Sequence, residues 1–302
     1  MWFKNLTIFR LTETFTLTAE ELEEKLEAMV FRACGSHDEF SLGWVSPVGG
    51  KNMPLVHSAN NFLMICSKKE ERVLPASVLN EMMLEKIQET EEEQGRKLSK
   101  KERTAIKDEL IFELLPRAFT FSRKLYAYID VKGGFLVVDS ASTNKAEDLL
   151  SLLRKCLGSL PAVPLNTVEK PILTMTEWLI SQKTPSDVVV EDECELRAPE
   201  EAGGVIRCKR HDLSLPEIKN HLDIGKQVIK LALNWDDRLS FILDENLSVK
   251  RLKFLDLIQD QVSETHADDE AARFDVDFSI MSLELANFIP RLLVLFGGEL
   301  QA

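Results

Sequence analysis

The run Arg117-Ala118-Phe119-Thr120-Phe121-Ser122-Arg123-Lys124 sets two phenylalanines among three cations, with no acid between them. Sequence-neutral nucleic-acid binding uses this pairing, because cations neutralise phosphates while aromatic faces stack on bases or wedge between base steps. The competing reading puts phenylalanine in the core, and spacing alone assigns one of the two there. A second candidate is Arg207-Cys208-Lys209-Arg210, followed by His211. Alternation along a strand places Arg207 and Lys209 on one face, Ile206 and Cys208 on the other, and Arg210 at the strand's end. An edge strand guarded by charge accounts for the same pattern. Lys250-Arg251-Leu252-Lys253 is a further basic cluster.

Catalytic constellations are harder to find. Asp268-Asp269-Glu270 with Asp275 and Asp277 offers carboxylates for a Mg²⁺-dependent nuclease, but a solvated acidic loop explains them as well. Cys34 lies three residues from His37, a spacing that suggests a thiol–imidazole dyad only weakly. His211 and His221 are ten apart and lack a metal-ligand pattern. The chain has no Gly-x-x-x-x-Gly-Lys-Ser/Thr, Gly-x-Gly-x-x-Gly, Gly-x-Ser-x-Gly or His-Glu-x-x-His motif. No catalytic residue, metal or cofactor is therefore assigned. The five cysteines are odd in number and widely spaced, which disfavours a disulfide framework or a zinc ribbon and suits reduced, mostly buried thiols. The first residues show no secretory signal, and no run approaches the roughly 20 apolar residues that span a bilayer. A cytoplasmic protein without a membrane partner is expected.

Charge first argues against a polyanionic partner: 50 Asp+Glu oppose 37 Lys+Arg, a net of -13 over 302 residues. The distribution changes that inference. Residues 256–302 hold ten acids and two bases, while residues 96–107 hold six bases against Glu102. Six glutamates in 81–93 precede that basic segment, so the two helices could pair their charges or dock a partner protein.

The elements follow from periodicity. Residues 2–10 read as a strand, and Thr18 caps an amphipathic helix with Leu22 and Leu26 inside. Segment 35–61 reads as loops with short strands. Asn61–Ser67 reads as a buried strand beside which Lys69–Leu74 could pair. Helices over 76–94 and from Ser99, whose Ser99-x-x-Glu102 matches a capping box, form a helical hairpin ending at Pro116. Leu125–Val131 and Phe135–Asp139 form a β-hairpin about Gly133-Gly134, and 143–157 is a helix. Beyond the prolines of 161–171, Thr174 and Ser214 are expected to cap short helices. Strands follow over 187–197, 204–209, 227–235, 239–243 and 247–254, and the last helix covers 281–296. The class is α+β, with antiparallel sheets, packed helices and a projecting helical hairpin. At roughly 150 residues per domain, the expected division is a central domain from 1–74 with 117–165, a hairpin tip over 75–116, and a base domain over 166–302. Apolar residues of 76–115, and Phe288, Leu292, Leu295 and Phe296 of the last helix, are candidates for partner surfaces.

Seven segments in order resemble the RdgC family of recombination-associated proteins. They are Trp2-Phe3-Lys4-Asn5-Leu6, Leu114-Leu115-Pro116-Arg117-Ala118-Phe119, Lys145-Ala146-Glu147-Asp148, Leu153-Arg154-Lys155 with Leu157-Gly158-Ser159-Leu160-Pro161, Thr176-Glu177-Trp178, Gly203-Gly204-Val205-Ile206-Arg207, and Lys250-Arg251-Leu252-Lys253-Phe254. The resemblance implies a non-enzymatic, nucleoid-associated homodimeric ring. Its positively lined hole takes double-stranded DNA, and it also binds single-stranded DNA, with little sequence preference. It further implies that the ring restrains RecA-promoted strand exchange. On the same basis Phe119 would be the aromatic of a finger near the DNA, and Arg210 and His211 a DNA-contacting pair. A lysine followed by an amide is the family's expected pair; Arg210 keeps the cation, and a histidine stands in the second place. Arg117, Arg123, Lys124 and Lys209 join the candidate site on charge alone.

Overall fold

A computed structural model describes residues 1–50, 53–200, 203–258 and 269–300. The first sheet is built from β1 (Thr7–Leu11), β2 (Phe40–Val45), β3 (Val56–Ala59), β4 (Phe62–Val73), β5 (Phe119–Asp130), β6 (Phe135–Val138) and β7 (Ala162–Pro164). Its order is β2-β4-β5-β6-β1-β7, with β3 paired to β4. The second sheet contains β8 (Val188–Arg197), β9 (Val205–Lys209), β10 (Gln227–Trp235), β11 (Leu239–Asp244) and β12 (Val249–Phe254), in the order β12-β11-β10-β8-β9. All strand pairs are antiparallel. The helices are α1 (Ala19–Glu27), α2 (Ala76–Gln94), α3 (Lys100–Leu114), α4 (Thr143–Leu157), α5 (Pro171–Ser181), α6 (Pro216–Asp223) and α7 (Glu270–Leu295). The α+β class of antiparallel sheets and packed helices stands.

The first sheet is apolar on both faces, so side-chain alternation assigns each residue to one of two cores. Phe9, Leu63, Ile65, Ala127, Ile129, Leu136 and Val138 face α1 and α4. Ile8, Phe62, Met64, Tyr128, Phe135 and Val137 face the other way, into a core shared with α5, α6, α7 and the second sheet. That shared core crosses the proline-rich 161–171 segment. Backbone also joins the two sheets, through the antiparallel bridge Leu6–Val249 and the Leu252 N–H to Lys4 carbonyl bond of 2.8 Å.

Helix α7 lies at the centre of that shared core. By length and composition it could cross a bilayer. Here Phe278, Met281, Leu285, Phe288 and Leu292 are instead buried against both sheets. Phe288, Leu292, Leu295 and Phe296 are thus core residues rather than a partner surface, because α7 turns that face inward. Glu284 on the same helix is 4% exposed, and the Arg238 guanidinium grips both its carboxylate oxygens. Near the helix's end, Arg291 makes two 2.7 Å bonds to Asp187, which also accepts the Trp235 indole N–H at 3.1 Å.

Several local expectations change. The strands expected at 61–67 and 69–74 are one twelve-residue strand, β4, because β5 pairs with its whole length from Phe62–Asp130 to Val73–Phe119. The first strand starts at Thr7 rather than Trp2; residues before it fold onto the second sheet. Thr174 is inside α5 and Ser214 lies outside α6. In both helices a proline opens the first turn, so Lys170 and Leu215 hold the cap positions. Ser214 bonds Asp212 instead. Thr18 and Ser99 do form capping boxes.

Removing Arg238 leaves Glu284 charged and unpaired among apolar side chains. Arg238→Ala should therefore cost about 3 kcal/mol, read by urea denaturation, and Arg238→Ala/Glu284→Leu should recover most of that loss. Arg291 holds the Asp187 carboxyl at about 2, against an ordinary 3.8. A lowered folded value adds stability that is full above the unfolded value and fades as pH falls. The Tm gap between the native chain and Arg291→Met should therefore be widest above pH 3.8 and close towards pH 2.

Candidate nucleic-acid interface

Segment 117–124 does not form a loop. Arg117 closes a 3₁₀ turn, and β5 begins at Phe119. The register across β2, β4 and β5 orders this end of the sheet into rows. Val73 lies opposite Phe119; Phe40, Glu71 and Phe121 form the next row; Leu42, Lys69 and Arg123 form the third. Directly paired residues share a face, so three phenylalanines and two cations stand together with one acid. Phe119 is 88% exposed, while Phe40 and Phe121 are about half exposed. Neither phenylalanine of the 117–124 segment enters the core. The Arg123 guanidinium lies 4.9 Å from the Phe121 ring centre, and the Lys69 ammonium 4.9 Å from that of Phe40. Such contacts hold cations beside open aromatic faces.

Lys124 takes the opposite face, across from Lys68. The Lys68 ammonium lies 4.2 Å from the Phe31 ring centre. Phe31 can approach because Gly43 lies beneath it: a Cβ on Gly43 would sit 2.5 Å from the Phe31 Cα. Glu70, on this face, accepts the Cys34 N–H and the Ser122 hydroxyl, each at 3.0 Å. Those bonds, the Cys34 N–H foremost, hold its carboxyl below the usual range. Lys68, Lys69, Phe31 and Phe40 escaped the sequence reading. Lys68, Lys69 and Phe40 meet the 117–124 segment through strand register, and Phe31 through its contact with Lys68; the Lys68-Lys69 doublet is their sole local signal.

Arg72 fastens this strand end. Its guanidinium donates to the carbonyls of Leu115 at 2.8 Å, Ala118 at 3.2 Å and Gly35 at 3.0 Å. It thereby ties the end of α3 to β4. Helices α2 and α3 exchange charge through Arg103–Glu91 at 3.0 Å and Lys86–Glu109 at 3.3 Å, so the acidic-against-basic pairing is partly realised. No Cys34–His37 dyad forms. The His37 ring stacks on Phe112 at 4.1 Å, the Cys34 thiol points to the Glu70 carbonyl, and burial with Glu70 raises the thiol's pKa.

The second group lies on the second sheet. Lys209 ends β9 and stands 3.8 Å from Glu193. Arg210 follows with φ of 52°, a left-handed turn that ends the strand. Among the described residues no carboxylate lies within ion-pair distance of Arg210. Arg210 and His211 line an open cavity of about 910 Å³ with Asn234, Ser240, Lys253 and Glu191. Burial raises the Glu191 carboxyl above its ordinary range, opposed by the Ser240 hydroxyl at 2.9 Å. His211 is held by its N–H to the Asp192 carbonyl and by Glu217, 3.2 Å from Nε2. Within one chain, no described contact joins this group to the Phe119 group.

The acidic cluster assembles no metal site among the described residues. Asp269 caps α7, Asp275 lies 3.0 Å from His57, and Asp277 binds the N-terminal amine. Asp268 lies outside the described residues.

Residues 1–299 match a family model described as "Putative exonuclease, RdgC". The chain is 49% identical over 302 residues to a "Recombination-associated protein RdgC" from Aeromonas hydrophila, covering all of both chains. It is 48% identical over 299 residues to one from Tolumonas auensis, covering 99% of each. A Yersinia pestis relative of the same name is 47% identical over 302 residues, 100% of this chain and 99% of that one.

Because Arg72 alone spans three carbonyls at the foot of α3, Arg72→Ala should loosen the α3–β5 junction before the sheets unfold. Limited proteolysis should show new cleavage near residues 114–120 at an almost unchanged global melting temperature.

Proposed function

This chain belongs to the RdgC family, and on that premise we propose that it is a non-enzymatic, sequence-neutral DNA-binding protein that acts in recombination by occupying duplex. In this reading two copies close a ring around double-stranded DNA, single-stranded DNA is a second ligand, and occupied duplex restrains RecA-promoted strand exchange. The ring works in the cytoplasm at the nucleoid, with helices α2 and α3 projecting from the sheet as its tip. Two-fold closure joins like surfaces at two places.

The observation that carries the reading is Phe119, 88% exposed at a strand end. Around it stand exposed Phe121 and Phe40, with Arg123 and Lys69 held against their rings. An open aromatic ring can stack on any base or wedge into a base step, and the cations beside it meet phosphate whatever the sequence. Arg117 and Lys124 extend the charge along the same strand end. Lys209, Arg210 and His211 supply a second phosphate-facing group. Among the described residues Arg210 has no carboxylate within ion-pair distance, and the His211 ring beside it is held by Glu217. Lysine or arginine at the Arg210 position serves the same electrostatic purpose.

A nuclease reading would need carboxylates gathered to hold a metal. Of the described acids of the 268–277 cluster, Asp269, Asp275 and Asp277 are separately engaged, by the α7 cap, by His57 and by the N-terminus. The adaptor reading rests on the charge-split helices α2 and α3, whose charges are partly spent on each other through Arg103–Glu91 and Lys86–Glu109.

Duplex affinity should fall steeply with salt, because each phosphate contact releases counterions. A flat plot of log K against log salt would overturn DNA binding. Phe119→Ala should weaken binding by about 1–3 kcal/mol, the range for one lost stacking partner. Arg210→Ala should weaken it too, and both variants should melt at the native temperature. Unchanged affinity in both, measured by fluorescence anisotropy, would remove them from the interface. Incubation with Mg²⁺ or Mn²⁺ should leave labelled duplex intact, and cleavage that is lost in an Asp275→Asn/Asp277→Asn variant would favour the nuclease instead.

A further inference from the structure

The basic clusters 207–209 and 250–253 are about forty residues apart in sequence, yet the second sheet brings them into one hollow. Its volume is about 460 Å³, and Arg207, Lys209, Lys230, Lys250 and Arg251 line it together with Glu193, Glu195 and Asn5. The cross-strand register makes this convergence: Arg207 lies opposite Glu195, Glu195 opposite Lys230, and Lys209 opposite Glu193.

Charge in the hollow is layered. Glu195 takes Arg207 at 3.1 Å and Lys230 at 3.0 Å, so one carboxylate serves two cations. Glu193 likewise takes Lys209 at 3.8 Å and also Arg251. Each shared carboxylate leaves one positive charge over. The acids form the floor, with Glu195 14% and Glu193 22% exposed. The cations form the rim, with Arg207 68% and Arg251 56% exposed. A guanidinium carries five N–H donors and an ammonium three, so a rim cation bound to one floor carboxylate keeps donors facing solvent. The buried acids therefore anchor and aim the rim, and an approaching ligand meets positive charge.

From this layering we infer a further anion site, one that takes phosphodiester groups of a nucleic-acid backbone through Arg207 and Arg251, with Lys230 behind them; Lys250 is already paired with Asp244 at 2.7 Å. The inference rests on the DNA-binding reading and extends it to residues outside the Phe119 and Arg210 groups. A polymer fits better than a compact anion because the site continues. Lys209 borders this hollow, and the next residue, Arg210, borders the 910 Å³ cavity that also holds Lys253. The two hollows occupy neighbouring stretches of the sheet, and the second sets Arg210 and Lys253 beside Glu191, Asp192 and Asp212, so an extended polyanion can meet cations in both where a compact one meets a single hollow.

The test uses the full chain and Arg207→Gln/Arg251→Gln, which removes two rim charges and keeps the floor. Binding to a labelled duplex is measured across a salt series, beside circular dichroism melts of both proteins. Two lost phosphate contacts should flatten the slope of log K against log salt by about 1.8, with affinity reduced at least tenfold at low salt. Inorganic tripolyphosphate should compete only weakly, because it fills a single hollow. An unchanged slope in a folded double variant would overturn the site while leaving DNA binding intact. Should the native chain bind no duplex at all, the functional reading fails, and titration with tripolyphosphate then decides the site alone. Tripolyphosphate binding lost in the variant would keep an anion site of another use; no binding by the native chain would reject it. Where the double variant does not fold, Arg251→Gln alone, on the edge strand β12, gives the same readout with an expected slope change of about 0.9.

Discussion

Two sheets press on one helix. Helix α7 gives Phe278 to the ring cluster of Phe62 and Tyr128 on the first sheet, and Phe288 to that of Trp235 and Phe241 on the second. Helices α5 and α6 join that core, but α7 carries rings that reach both sheets. Apolar burial fixes the depth of the helix but not its angle. The angle comes from two charge pairs, Arg238 with Glu284 in the middle and Arg291 with Asp187 near the end. A buried pair of this kind adds little net stability over apolar contact, but it strongly penalises arrangements that separate the partners. Such a penalty holds the two sheets, and with them the two candidate groups, in fixed relation.

The charge distribution follows the same logic at the surface. A net of -13 describes the whole chain and no particular place on it. Acids on the second sheet lie low, each shared between cations that stand higher, so the carboxylates organise a basic surface rather than cancel it. Local potential is set by whichever charges stand nearest the ligand, and the Debye length of about 8 Å at physiological salt hides the rest. The acidic run after residue 256 is compatible with DNA binding elsewhere on the chain. Within that segment Glu284, Glu299 and Asp277 are already paired, with Arg238, Arg10 and the N-terminal amine.

Much of this was legible in the sequence, and the failures share a cause. Capping boxes at Thr18 and Ser99 read correctly because every atom involved lies within four residues. Thr174 and Ser214 carried the same signature and failed, because a nearby proline at the first helical turn had already fixed where each helix begins. Phe288, Leu292, Leu295 and Phe296 of the last helix read as candidates for a partner surface, because nothing local says that two sheets will cover them. Phe119 and Arg210 were visible as residue types in suggestive company. Phe40, Lys68 and Lys69 were not, since strand register alone brings them to that company, nor was Phe31, which joins it only through Lys68. The Glu193 and Glu195 floor was hidden for the same reason: a carboxylate shared between strands is a fact of pairing, and no window along the chain contains it.

Strand register also explains why the aromatic surface ends where it does. Along β5 one face carries Phe119, Phe121, Arg123, Leu125, Ala127 and Ile129, and burial rises steadily from the first to the last. The apolar alternation that builds the core thus runs past the edge of the core and continues into solvent. A strand serving only packing would turn polar there, since open phenylalanine invites association. Cations replace polar residues instead, at Arg123 and across the ladder at Lys69, each resting on a ring. Positive charge keeps this apolar end soluble by repelling like copies of itself, and the same charge draws in phosphate. On the proposed reading, an open aromatic face flanked by cations selects a polyanion bearing stackable bases without reading a sequence.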